Sequence, residues 1–308
     1  MAPAPVGKPN CSTTCGGVRV PYPFGISPGC YLPGFNLTCN TSYSPPRLLL
    51  DKNGTFEVIE IFLPNSTMRV IHHTSNTFGY EISGAEWLVY FDLPDIGEPY
   101  MLSTRNELIL FGCDLQATLY NRKDSNKTSD SISHCASTCS SSSLQTIVGD
   151  HSAWPLVSTQ HPHGGYCSGR DGCCHAPILL GSMPKGLKFK GLNGTTSQEF
   201  RNNLLRAVAL VSEDGLADQW GVILNRSVPW WLSYMASPLV LRWAVKQGVT
   251  APANYSLGPC LGDVASTGLL CKSKDRVCQQ DDGGGFTCHC NTGYQGNPYL
   301  DGGCQGHY

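Results

Sequence analysis

Lys185, Lys188, Lys190 and Arg201 form the densest cationic stretch of the chain, with Arg206 just beyond and Glu199 as its single acid. Such a run can hold an anionic ligand or a partner surface if its charges lie within about 10 Å of the opposing ones. The plainer alternative is an ordinary solvated face. A second set, His161, His163, Cys167, Cys173, Cys174 and His175, offers nitrogen and sulfur donors of the zinc type. A third is carboxylate pairs such as Glu57/Glu60 and Asp92/Asp95, the raw material of glycoside hydrolysis. Spacing along the chain does not set their separation in space, scattered acids are normally solvated, and no GxSxG motif occurs. Catalysis is therefore not expected, nor is a metal, because disulfide formation competes for the thiols.

That competition follows from the cysteine count. Sixteen cysteines in 308 residues indicate an oxidising compartment. Cys173 and Cys174 are expected to bond to different partners, since a vicinal disulfide is strained. Sequons at Asn36, Asn40, Asn53, Asn65, Asn126, Asn193, Asn225 and Asn254 support an extracellular setting, while one at Asn10 abuts a cysteine. Met1 to Asn10 has no apolar signal-peptide core, and no stretch approaches the 18 or so apolar residues of a membrane span. The expectation is a mature secreted protein or, preferably, an excised ectodomain. Net charge is −2, unevenly spread: six Lys/Arg against ten Asp/Glu in residues 1–115, twelve against eight in 116–259, three against five in 260–308. No segment is basic enough for nucleic acid.

The elements that must position these groups read as mostly β, with two disulfide-stabilised β-rich domains followed by a small cysteine module. Residues 1–10 are expected to be disordered. Residues 11–115 form the first β domain, in which Leu48 to Leu50 runs through Asn53-Gly54 into Thr55 to Phe62, a strong hairpin signal. Further strands are expected at Met68–His72, Glu86–Asp92 and Leu108–Phe111. Residues 116–145, polar and serine-rich, read as a linker or long loop tied by Cys135 and Cys139. Residues 146–258 form a second domain, whose five tryptophans (Trp154, Trp220, Trp230, Trp231 and Trp243) argue for a core. There, Thr196-x-x-Glu199 before Phe200 and Leu204 reads as a capped helical turn leading into a strand. Residues 259–308 form the module.

In that module the spacing of Cys260, Cys271, Cys278, Cys288, Cys290 and Cys304, with Gly293-Tyr294 after the fifth, resembles the EGF-like module. Spacing alone leaves 15 pairings open; the resemblance implies Cys260–Cys278, Cys271–Cys288 and Cys290–Cys304. Ser256-Leu257-Gly258-Pro259, just before the first cysteine, carries no carboxylate, so no calcium site is expected there.

Cys11-x3-Cys15-Gly16-Gly17-Val18-Arg19-Val20-Pro21-Tyr22-Pro23-Phe24-Gly25, then Gly29-Cys30 and Phe35-x-Leu37-x-Cys39, resembles the galacturonan-binding domain of plant wall-associated receptor kinases. Gly172-Cys173-Cys174-His175 and Leu241-Arg242-Trp243-Ala244-Val245 resemble segments of that family's associated C-terminal domain, and Gly293 to Leu300 its EGF ending. The resemblance spans nearly the whole chain. It implies a wall-facing, apoplastic receptor ectodomain at the plasma membrane that senses pectin or oligogalacturonides and signals through a span and a cytoplasmic Ser/Thr kinase absent from this sequence. No cofactor is expected, and calcium only as a bridge between carboxylates of the acidic first domain and pectin. The alternative is recognition of an apoplastic protein ligand or co-receptor in plant immunity. Candidate polysaccharide contacts are Arg19, Tyr22 and Phe24, beside Lys185, Lys188, Lys190 and Arg201. The cysteines, prolines and glycines of the first motif are read as structural.

Overall fold

The computed structural model describes residues 4–50, 54–73, 79–83, 86–90, 99–121, 130–139, 167, 169, 172–179, 184, 186–192, 194–204, 207–216, 238–246, 270–282 and 284–306. The chain is mostly β and divides into two compact units that are not consecutive in sequence. One comprises Met1–His73, Pro94–Met101 and Leu241–Tyr308, the other Thr74–Leu93 and Leu102–Val240.

The first unit opens with a small ribbon, β1 (Thr14–Cys15) against β2 (Val18–Arg19). Gly16, at φ 56°, makes its tight turn, where a Cβ would also strike the Pro46 carbonyl. The principal sheet contains β3 (Thr38–Asn40), β4 (Arg47–Leu49), β5 (Phe56–Phe62) and β6 (Thr67–His72), followed by β16 (Pro238–Trp243) and β9 (Tyr100–Leu102), of which Leu241–Trp243 and Tyr100–Met101 belong to this unit, in the order β3-β4-β5-β6-β16-β9. β4 and β5 pair antiparallel with Leu48 opposite Val58, around Gly54 at φ 73°. Asn53 lies outside the described residues. Disulfides Cys11–Cys30 and Cys15–Cys39 fasten the entry segment.

Apolar alternation along these strands sends Leu48, Phe56, Val58, Met68 and Val70 inward. At the centre Trp243 meets Phe24 and Phe35 edge-on, with ring centroids 5.1 and 5.7 Å away, and Tyr299 at 6.0 Å. Trp243 thus serves the core of this unit, although its sequence neighbourhood reads as part of the second domain; Trp154, Trp220, Trp230 and Trp231 lie outside the described residues. Burial raises the phenol pKa of Tyr100 and Tyr299, the latter against a hydrogen bond from Cys288 N–H that lowers it.

The terminal module belongs to the same unit. It holds β17 (Arg276–Gln280) against β18 (Phe286–Cys290) and β19 (Tyr294–Gly296) against β20 (Cys304–Gly306). Disulfides join Cys271 to Cys288 and Cys290 to Cys304; Cys278 is also disulfide-bonded, while Cys260 lies outside the described residues. Buried Asn297 donates to Tyr22 O at 2.7 Å and Val6 O at 2.9 Å and accepts from Tyr299 N–H at 3.0 Å. Residues 4–10, expected to be disordered, are therefore held: Tyr22 N–H also donates to Val6 O, and Lys8 Nζ donates to Gly29 O.

The second unit has a five-stranded sheet, β12-β11-β14-β8-β7, built from β7 (Gly79–Ser83), β8 (Glu86–Tyr90), β11 (Leu115–Asn121), β12 (Asp130–Ser137) and β14 (Gly186–Gly191). A three-stranded sheet places β10 (Asn106–Phe111) between β13 (Cys173–Pro177) and β15 (Val208–Glu213). The described residues of the expected 116–145 linker fall mostly in β11 and β12. Its polar composition hides a period of two: Leu115, Ala117 and Leu119 are buried, as are Ile132, Ser133, Cys135 and Ser137. Small serines fill inward positions that a composition count reads as solvated. Disulfides Cys113–Cys139, Cys135–Cys174 and Cys167–Cys173 fasten these strands, so the neighbours Cys173 and Cys174 have different partners.

Helix α1 (Ser197–Leu204) buries Phe200 and Leu204 and precedes β15. Its capping box is formed: Glu199 N–H donates to Thr196 Oγ1 at 3.2 Å, and Glu199 Oε2 accepts from Thr196 N–H at 2.8 Å. The hydrogen bonds from the Thr196 backbone and side chain lower the Glu199 pKa.

Candidate functional site

The outward face of the principal sheet of the first unit gathers polar side chains from four strands. Asn40 Oδ1 accepts from Ser42 N–H at 2.9 Å, turning the chain after β3. The chain then returns so that Tyr43 lies against Arg47 at the start of β4, its ring centroid 4.3 Å from the guanidinium carbon. Arg47 Nη1 donates to Glu57 Oε2 on β5 at 3.2 Å. The same oxygen lies 2.9 Å from His73 Nε2, just past β6. Arg69 and Glu60 pair beside them at 3.5 Å, at cross-strand positions of β6 and β5.

Chemically, Arg47 is held by an aromatic face on one side and a carboxylate on another while its side chain stays 41% exposed. A guanidinium has five N–H donors in a fixed fork, so an arginine positioned in this way retains donors for a second carboxylate. Tyr43, 47% exposed, supplies an apolar ring beside it. Charged and hydrogen-bonding groups next to an exposed aromatic suit a ligand that combines carboxylates with flat, partly apolar rings.

The residues named from the sequence fare differently. Arg19 is exposed on β2. Tyr22 and Phe24 are 4% and 1% exposed, so neither ring has a face for a sugar: Phe24 packs on Phe35 and Trp243, and Tyr22 has Lys8 Nζ 4.8 Å from its centroid. Burial raises the Tyr22 phenol pKa. Their sequence signal, aromatics between prolines and glycines, is one of packing rather than presentation. Lys188 and Lys190 share one face of β14, two positions apart, across from Thr118 and Gln116 of β11. Arg201 is exposed on α1, and Lys185 lies outside the described residues. Of the sequon asparagines, Asn36 and Asn65 are exposed and Asn40 is half-buried; Asn53, Asn126, Asn193, Asn225 and Asn254 lie outside the described residues.

Of the zinc-type set, the thiols of Cys167, Cys173 and Cys174 are in disulfides, His175 Nδ1 lies 2.7 Å from Glu107 Oε2, and His161 and His163 fall outside the described residues. Glu57 and Glu60 engage cationic partners, and Asp92 and Asp95 also fall outside. Tyr43, Arg47 and His73 were not legible as a site, because strand pairing alone brings residues 43–47, 57 and 73 together. The available signal was the polar positions set among apolar neighbours: Arg47 in β4, and Glu57 with Glu60 in β5.

Residues 11–72, which contain this face except His73, match the wall-associated receptor kinase galacturonan-binding family. Over 305 residues the chain is 28% identical to wall-associated receptor kinase 2 of Arabidopsis thaliana, covering 97% of this chain and 35% of the relative. It is 28% identical to wall-associated receptor kinase 4 of the same organism over 96% of the chain and 34% of the relative. The corresponding figures for wall-associated receptor kinase-like 6 are 28%, 96% and 44%. The chain thus spans about a third of the length of the first two relatives. No solved structure matches it. No helix among the described residues is long and apolar enough to cross a membrane.

Proposed function

We propose that this chain, a wall-associated-receptor-kinase-like extracellular region, is the ligand-binding part of a cell-wall receptor and takes acidic pectin, polygalacturonan or oligogalacturonides, on the Tyr43–Arg47–Glu57–His73 face. The observation that carries this reading is the coincidence of the family match over residues 11–72 with a positioned arginine and an exposed aromatic ring on one sheet face. Galacturonate rings carry one carboxylate each. Arg47 would take such a carboxylate with its remaining N–H groups while the Tyr43 ring covers an apolar sugar face. Residues 1–115 are net acidic by four charges, so long-range attraction is weak and the short-range geometry must supply the affinity. Calcium enters this reading only as a bridge between ligand carboxylates and acidic residues of the protein. In the parent protein, binding at this extracellular, wall-facing region would be reported by a cytoplasmic kinase.

The test is calorimetric titration of the glycosylated chain with oligogalacturonides of defined length, at low and high salt, with and without calcium. The expected result is saturable binding that weakens with salt, because the contact is between exposed charges. No binding under any condition would reject pectin and favour a protein ligand.

A further inference from the structure

The hairpin between β5 and β6 ends in a turn, Leu63 to Ser66, closed by Ser66 N–H donating to Leu63 O at 3.1 Å, with Ser66 at φ 49°. The turn carries the sequon Asn65-Ser66-Thr67. Ser66 and Thr67 are buried while Asn65 faces solvent. One residue before Asn65, the Pro64 carbonyl accepts from His289 Nδ1 on β18 at 3.0 Å, so the turn touches the terminal module. There a groove of about 380 Å³ opens, lined among others by Leu63, Pro64, His289, Tyr294, Gln295 and Pro298. Tyr294 is 38% exposed.

This is a mostly apolar trough with an aromatic ring and a few polar groups, of the size and make-up that hold small organic ligands. A pyranose ring fits that chemistry, with its C–H face on Tyr294 and its hydroxyl and acetamido groups toward the Gln295 amide. Asn65 directly follows the lining residue Pro64, so a sugar attached there is tethered within one residue of the groove. Its tethering gives an effective concentration on the order of millimolar, which a free saccharide would have to exceed.

We propose that Asn65 carries an N-glycan and that its proximal N-acetylglucosamine units lie in this groove against Tyr294. The sugar is then a covalently anchored strut between the β5–β6 hairpin and the terminal cysteine module. This inference does not depend on the ligand taken by the Arg47 face.

The experiment uses the whole chain secreted from cells that make only high-mannose glycans. Site occupancy is read by mass spectrometry, and an endoglycosidase that cuts within the chitobiose core is applied under native conditions. Asn65 is expected to be occupied, and its glycan to be released roughly fivefold more slowly from the wild type than from Tyr294→Ala, in keeping with the strength of an aromatic stacking contact. The Asn36 glycan, on an exposed position far from the groove in sequence, serves as the internal reference and is expected to be released at equal rates in both. Gln295→Ala, at an exposed position, provides a second variant should Tyr294→Ala fail to be secreted, and is expected to accelerate release in the same direction. An unoccupied Asn65, or equal release rates from Asn65 in wild type and variant, would overturn the proposal.

Discussion

Asn297→Ala is expected to destabilise the first unit by about 4 kcal/mol. The side chain is 2% exposed and makes three hydrogen bonds, two donated to the Tyr22 and Val6 carbonyls and one accepted from Tyr299 N–H. Val6 O keeps a partner after the change, because Tyr22 N–H also donates to it at 3.0 Å. Tyr22 O and Tyr299 N–H lose the bond that satisfies them, and a buried orphan of this kind costs roughly 1–3 kcal/mol. Two such groups at mid-range give about 4 kcal/mol. For a unit of about 150 residues each kcal/mol moves the melting temperature by roughly 2–4 °C, so the expected fall is about 8–16 °C. Asn297→Asp is expected to fall at least as far, because it sets a carboxylate against two carbonyl oxygens. The assay is thermal melting of the oxidised, glycosylated chain followed by near-ultraviolet circular dichroism, which reports the Trp243–Phe24–Tyr299 cluster. A shift below about 2 °C in both variants would refute the reasoning, since it would mean that Asn297 does not join the terminal module to residues 6 and 22.

Arg47→Glu is expected to weaken oligogalacturonide binding by about 10- to 100-fold in calorimetry, the worth of a charge-assisted hydrogen bond, with little change in melting temperature. Lys188→Glu combined with Lys190→Glu is expected to change the same affinity less than about threefold, the scale of solvent-screened surface charges; a larger loss would move the site to β14. Asn40 pairs with Arg47 across the β3–β4 ladder, so a glycan there stands beside the proposed face, and Asn40→Gln is expected to tighten binding in material whose Asn40 is occupied. Phe24→Ala is expected to cost about 3–5 kcal/mol through the cavity it leaves against Phe35 and Trp243, seen as a lower melting temperature or lost secretion; a fully stable variant with lost sugar binding would return Phe24 to the site.

Local signals were legible where the cause is local. Strands such as Phe56–Phe62 follow from β-branched and aromatic runs, and the Thr196/Glu199 cap is written in four residues and starts α1 where expected. The sixteen cysteines pointed to the compartment class, and the ordered motifs from Cys11 to Leu300 to the family resemblance. Composition misled where it was averaged over a window. Ser133 and Ser137 are buried in β12 because alternate positions of a strand face opposite ways, whatever the mean polarity of the segment.

What the sequence determined by itself was a mostly β, disulfide-bearing chain, because strand propensity, turn residues and cysteine number act over a few residues each. Which surface faces solvent was decided only in three dimensions. Tyr22 and Phe24 could be read from the sequence either as packed or as presented aromatics; Trp243, more than two hundred positions away, packs against Phe24 and decides that one. Arg47, Glu57 and His73 looked unrelated until antiparallel pairing set β4, β5 and β6 side by side. Burial and convergence are properties of contacts between distant segments, and only the packed chain makes those contacts.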